Sequence, residues 1–154
     1  MLVSGICIND MVVNEIGKFA ILWNEFEKIF TQYGNNYDFL SLCERITFEM
    51  KACDELRLYL LAQKNYTSQE TEKFVNSFLF TTNAIPPKEQ KIKNIVYFLD
   101  NKGTTEEKMC GCLHTIKRYR DNLMHGIKDL SGLNDQLIVF KTINEILEYI
   151  IVNN

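Results

Sequence analysis

The stretch Val12-Val-Asn-Glu-Ile16-Gly-Lys-Phe19-Ala-Ile-Leu-Trp23-Asn-Glu-Phe26-Glu-Lys-Ile-Phe30 decides the fold class of this chain. Val12, Ile16, Phe19, Trp23, Phe26 and Phe30 are spaced by alternating steps of four and three, the apolar seam of a packed amphipathic helix. Gly34-Asn-Asn36 supplies residues that tolerate left-handed backbone and so predicts its end. A second helix is expected to carry Leu42, Ile46, Met50, Cys53, Leu56 and Leu60 on one face.

The same period continues downstream. Thr67-Ser-Gln-Glu70 has the form of a capping box and opens a shorter predicted helix with Phe74, Phe78 and Leu79. Ile85-Pro-Pro87 stops that helix and starts the next, because proline suits a first helical turn. This next helix, over about 87–100, carries Ile92, Ile95, Val96 and Leu99. A second box, Thr104-Thr-Glu-Glu107, opens a helix with Met109, Cys112, Ile116, Tyr119 and Leu123 that ends at His125-Gly126. A final helix over about 134–152 uses Leu137, Phe140, Ile143, Leu147 and Ile150. With no repeat, low-complexity tract or linker, residues 1–154 are expected to form a single all-α domain, an antiparallel bundle of five or six helices.

Composition agrees with that reading. The 154 residues are 46% hydrophobic and 24% charged, values of an ordinary globular domain rather than a disordered tail or a fibre. Two prolines and seven glycines are too few for the many turns of an all-β fold. No apolar run approaches the ~18–20 residues that span a bilayer, so no membrane association is expected. The start, Met1 to Ile8, lacks a basic flank and meets Asn9-Asp10 too soon for a signal peptide. Five cysteines, mostly inside apolar helical patterns, read as reduced core residues of a cytoplasmic protein, in which the sequon at Asn65 carries no meaning.

The net charge of −3 argues against broad, non-specific nucleic-acid binding. Its distribution is uneven. Residues 86–120 hold 8 basic and 4 acidic groups, between acidic flanks of net −4 and −3. Such a segment is either a solvated lysine-rich face or one focused anion site.

Two histidines offer chemistry. His114 lies in Cys110-Gly-Cys112-Leu-His114, three soft ligands in five residues. Zinc wants four ligands and a second cluster is missing, so buried thiols beside a partly exposed imidazole is the expected arrangement, with no metal and no cofactor. His125 closes the run Lys117-Arg-Tyr-Arg-Asp-Asn-Leu-Met-His-Gly126. At 100° per residue Arg118, Asp121, Asn122 and His125 share a polar face, while Tyr119 and Leu123 point at the core. Arg120 stands about 140° from His125 on an unbroken helix. Basic residues here complement the helix dipole; they also form a constellation fit for phosphate chemistry.

Arg120-Asp-Asn-Leu-Met-His125, followed by glycine, resembles the Arg-x4-6-His signature of the HEPN superfamily. Phe19-Ala-Ile-Leu-Trp-Asn-Glu-Phe-Glu27 is similar to the aromatic opening of small bacterial members. The likeness covers about fifteen residues in motif and most of the chain in architecture. It implies a metal-independent endoribonuclease, often a toxin of a toxin-antitoxin pair or an antiviral-defence effector, working on RNA as a homodimer with both signatures at the interface. By resemblance His125 would be the acid/base, Arg120 the phosphate clamp and Asp121 an orienting group. Asn122, Lys117 and Tyr119 would contact substrate, and Arg118 joins them on geometry alone because it projects from the same face as His125; Tyr119, Tyr97 and Tyr33 either stack bases or simply belong to the core. One subgroup, partnered by a nucleotidyltransferase antitoxin, carries tyrosine two residues after the histidine. Ile127 stands there instead, which speaks against that control while leaving such an antitoxin partner open.

Imidazole and guanidinium suit the reaction. Attack of a ribose 2′-hydroxyl on phosphorus needs proton transfer near neutral pH and a fixed cation on the phosphorane. Two alternatives from other classes compete: a non-catalytic helical module binding nucleotide, RNA or protein, and a metal-dependent hydrolase, which the ligand spacing disfavours.

Overall fold

The computed structural model describes residues 1–31, 37–64, 88–124 and 130–154. The predicted box at Thr67–Glu70, the helix with Phe74 to Leu79, the Pro86-Pro87 junction, Gly34-Asn-Asn36 and Tyr33 lie outside the described residues. So do His125, Gly126 and Ile127.

Helices dominate. Among the described residues they are α1 (Asp10–Phe30), α2 (Phe39–Cys43), α3 (Met50–Lys64), α4 (Lys88–Asp100), α5 (Thr105–Met124) and α6 (Leu137–Asn153), with a 3-10 segment at Leu130–Gln136 leading into α6. A small antiparallel hairpin precedes them, β1 (Leu2–Val3) and β2 (Ile6–Cys7), pairing Leu2 with Cys7 and Val3 with Ile6. The turn between them has positive φ at both Ser4 (49°) and Gly5 (78°), the backbone that two-residue hairpins favour. Asn134 holds the hairpin end: its Oδ1 accepts from the Asn9 amide at 2.8 Å, and its Nδ2 donates to the Cys7 carbonyl at 3.0 Å.

The first seam folds as its spacing requires. Val12, Phe19, Trp23 and Phe26 are buried, and Asn9 caps the helix by accepting from the Met11 amide. The expected second helix is instead two. α2 ends at Cys43, and the amides of Arg45 and Ile46 both turn back to the Leu42 carbonyl. Asn154 then takes both backbone groups of Thr47, accepting from its amide and donating to its carbonyl, each at 2.8 Å. With those groups engaged, Thr47 has no place in a helical ladder, and α3 starts afresh at Met50.

The second box forms reciprocally. The Glu107 amide donates to Thr104 Oγ1 and the Thr104 amide to Glu107 Oε1, both at 3.1 Å. α4 and α5 make an antiparallel hairpin of helices that depends on Gly111. A Cβ there would stand 2.0 Å from the Asn94 carbonyl oxygen, so only glycine lets the two backbones approach this closely.

α3 and α6 are antiparallel, since Gln63 at the end of α3 meets Gln136 at the start of α6, while Thr47 before α3 meets Asn154 after α6. One pair departs from that pattern. Contacts between Asn9 and Asn134, Glu15 and Asn144, and Lys18 and Glu148 advance together along both segments, so α1 and α6 run parallel. The core between the helices holds Trp23, Phe19, Phe26, Phe39, Phe98 and Phe140, each essentially inaccessible to water. Burying each such side chain is worth roughly 1.5–3 kcal/mol, so much of the cohesion of the bundle comes from α1, α2, α4 and α6.

Candidate functional site

The last two turns of α5 place the site. Ile116 and Tyr119 are buried against the core, so the residues between and after them, Lys117, Arg118, Arg120, Asp121 and Asn122, come out at the margin of the bundle, half-buried. Three of these join a closed circuit with two residues from elsewhere. Lys117 Nζ donates to Asp121 Oδ2 at 2.7 Å, and Arg120 Nη1 donates to Asp121 Oδ1 at 2.9 Å. Arg120 Nη2 lies 3.6 Å from Glu27 Oε1 of α1, and the Tyr37 hydroxyl donates to Glu27 Oε2 at 2.6 Å. Lys117 closes the loop, its ammonium 4.7 Å from the centre of the Tyr37 ring.

The electrostatics follow from that geometry. Burial alone would raise the Asp121 pKa, but hydrogen bonds from Lys117 and Arg120 outweigh it and hold the carboxyl below its ordinary value. Burial works against the Arg120 charge, yet Asp121 and Glu27 overcome it and push its pKa up. Burial lifts the Tyr37 hydroxyl well above an ordinary phenol, and the Glu27 carboxylate lifts it further. Burial lowers Arg118, with Asp121 pulling the other way. Lys91 of α4 faces the same group, lowered by burial and then by Lys117. Four cations thus surround two carboxylates, leaving a local excess of positive charge.

Glu27 and Tyr37 are not among the residues the sequence singles out for chemistry. Glu27 had a signal, since a carboxylate four residues after Trp23 falls beside the apolar seam. Tyr37 had none. Asn122 is half-buried, and its Oδ1 has no hydrogen-bond partner among the described residues.

Two tyrosines expected to stack bases do not reach this surface. Tyr119 is buried, its ring edge-on to Phe140 at 5.9 Å, and burial pushes its hydroxyl up to about 12. It is a core residue, as its position on the apolar face requires. Tyr97 lies against Gly103, just before α5 begins, whereas Arg120 stands about 22 Å along that helix from its first residue, Thr105.

His114 is not partly exposed. Only 6% of it is accessible, its ring packs 4.7 Å from that of Phe39, and burial, reinforced by Lys91 and Lys117, takes its pKa down to about 3. The neighbouring thiols diverge from it: Cys110 Sγ accepts from Asn94 on α4 at 3.2 Å, and Cys112 meets Cys53 on α3. Among the described residues no three His, Cys, Asp or Glu side chains converge as a metal would require. The five cysteines are unbridged, four of them buried and Cys7 exposed.

Beside the circuit, α1 and α5 leave a groove of about 490 Å³ lined by Ile16, Phe19, Ala20, Trp23, Asn24, Glu27, Arg120 and Leu123. Its walls are apolar and its charged groups gather at the Glu27–Arg120 end. Among the described residues no helix is long and apolar enough to cross a membrane. No family model, curated protein or solved structure matches this chain.

Proposed function

We propose that this protein is a metal-independent endoribonuclease of HEPN type, a cytoplasmic toxin or antiviral-defence effector that cleaves RNA at a site shared by two copies of the chain. The observation that carries the reading is Arg120, a guanidinium hydrogen-bonded to Asp121 at 2.9 Å, in a locally cationic surface at the end of α5. A cation fixed in this way suits the charge of a phosphorane, because little reorganisation is needed as that charge develops. His125 follows five residues later in the sequence and would move the protons; in a homodimer its symmetry mate could serve the same phosphate. Asp121 orients the arginine, and Lys117 and Arg118 draw the RNA backbone to the surface. A nucleotidyltransferase-type antitoxin is the partner this reading allows.

The test is incubation of the purified protein with single-stranded RNA in EDTA, beside Arg120→Ala and His125→Ala. Cleavage that both substitutions reduce by at least a hundredfold is expected. Cleavage that neither alters rules out these residues as its source. No cleavage, together with retained dimerisation and ligand-induced thermal stabilisation, would favour the non-catalytic binding module.

A further inference from the structure

We infer that Tyr37 is a positioning residue of the Arg120 site: it tethers Glu27, so that the guanidinium stays open to a phosphate group instead of closing on a carboxylate. The two carboxylates beside Arg120 are held differently. Asp121 follows the arginine in the chain and accepts from its Nη1 at 2.9 Å. Glu27 comes from α1, and its Oε1 stands 3.6 Å from Nη2, beyond a hydrogen bond. Its other oxygen, Oε2, accepts from the Tyr37 hydroxyl at 2.6 Å. A carboxylate and a guanidinium this close would ordinarily close into a fork of two parallel bonds. Here one oxygen of the carboxylate is already engaged, and the fork does not form.

The tyrosine is itself held in place. Its ring stands edge-on to Phe39 with centroids 5.8 Å apart, and the Lys117 ammonium lies 4.7 Å from its centre. Burial, and then Glu27, raise its pKa, so the hydroxyl remains a donor at any ordinary pH. With ring and hydroxyl both engaged, Tyr37 acts on a ligand through Arg120 and not by touching it. The tether matters most when an anion arrives. The Glu27 side chain is only 16% exposed, and Tyr37 and Arg120 are the donors its carboxylate meets among the described residues. A phosphate that drew Nη2 away would, without the hydroxyl, leave a largely buried carboxylate with no donor. With the hydroxyl present, Glu27 keeps a short charge-assisted bond while Nη2 changes partner. This role rests on the nuclease reading for the identity of the anion, whereas the tether itself needs no turnover.

A double-mutant cycle tests the tether, with wild type, Tyr37→Phe, Glu27→Gln and the double variant. Each protein would be titrated with inorganic phosphate, followed at the guanidinium NMR signal of Arg120, and with a labelled short single-stranded RNA. Tyr37→Phe keeps the ring and removes only the hydroxyl, and it should weaken both ligands about fivefold or more. In the Glu27→Gln background the same change should matter by less than about twofold, because no carboxylate remains to close on Arg120 or to be left without a donor. An equal loss in both backgrounds would show that Tyr37 serves packing alone, and overturns the inference. So does an unchanged affinity in Tyr37→Phe, or phosphate that fails to reach Arg120 in the wild type. RNA cleavage measured on the same proteins separates the two claims. Binding that follows the cycle without cleavage keeps the tether and removes the nuclease, whereas cleavage that Tyr37→Phe leaves unaltered does the reverse.

Discussion

Arg120 and Glu27, distant in sequence, meet across α5 and α1 with Nη2 3.6 Å from Oε1, while Nη1 of the same guanidinium is bonded to Asp121 at 2.9 Å. The arginine is therefore held by one close carboxylate and only approached by the other. Replacing Glu27 with glutamine keeps the shape and removes the charge. Because both groups are partly solvated, stability should fall by no more than about 1 kcal/mol. If Arg120 holds the RNA phosphate, affinity for a short single-stranded RNA should rise several-fold, since one competitor for the guanidinium is gone. Thermal unfolding and titration with a labelled single-stranded RNA measure the two effects, and weaker RNA binding by Glu27→Gln would contradict this view of the pair.

The buried imidazole of His114 makes stability depend on pH. Its folded pKa of about 3 lies far below the usual 6.5, so between those values the unfolded chain binds a proton that the folded chain refuses. Stability should therefore drop as pH falls from about 6.5 towards 3, with a contribution approaching 1.4 kcal/mol per pH unit. Asp121, whose folded pKa is depressed, adds its own loss only at more acidic pH, below the ordinary value of 3.8. Urea unfolding of wild type and His114→Phe would separate them. The variant should lose the slope above pH 4 and keep the acid limb, and an unchanged slope would show that His114 is not its source.

Two helical glycines should respond in opposite directions to alanine. At Gly111 a Cβ meets the Asn94 backbone, which cannot swing aside, so Gly111→Ala should cost roughly 1–3 kcal/mol by forcing α4 and α5 apart. Gly17 is exposed within α1, and a Cβ added there would meet nothing within 4 Å. Alanine at that position should add roughly 0.5–1 kcal/mol through helix propensity. Denaturant midpoints of both variants decide the matter. A tolerated alanine at Gly111 would mean that the close helix contact is not enforced by its missing side chain.

Local signals in this chain proved readable where the chain itself could satisfy them. The seam from Val12 to Phe30 folds as α1 because its period leaves one face to bury. The box at Thr104–Glu107 forms because both partners lie within one turn. The Ser4-Gly5 hairpin turn is just as local, but it lies in residues that carry no helical period.

Long-range partners decided the rest. The regular spacing from Leu42 to Leu60 says nothing of Asn154, whose amide captures Thr47 from the other end of the chain and divides the expected helix. Periodicity put Arg120 and Asp121 on α5, but it could not supply Glu27 or Tyr37, because charges meet across helices according to how those helices pack. The burial of His114 likewise required α2 to lay Phe39 over its ring. Sequence alone thus determined that this protein is helical and which faces are apolar, since both depend on neighbours a few residues away. Tertiary structure alone decided which polar groups share a low-dielectric margin, because that depends on how distant segments are brought together.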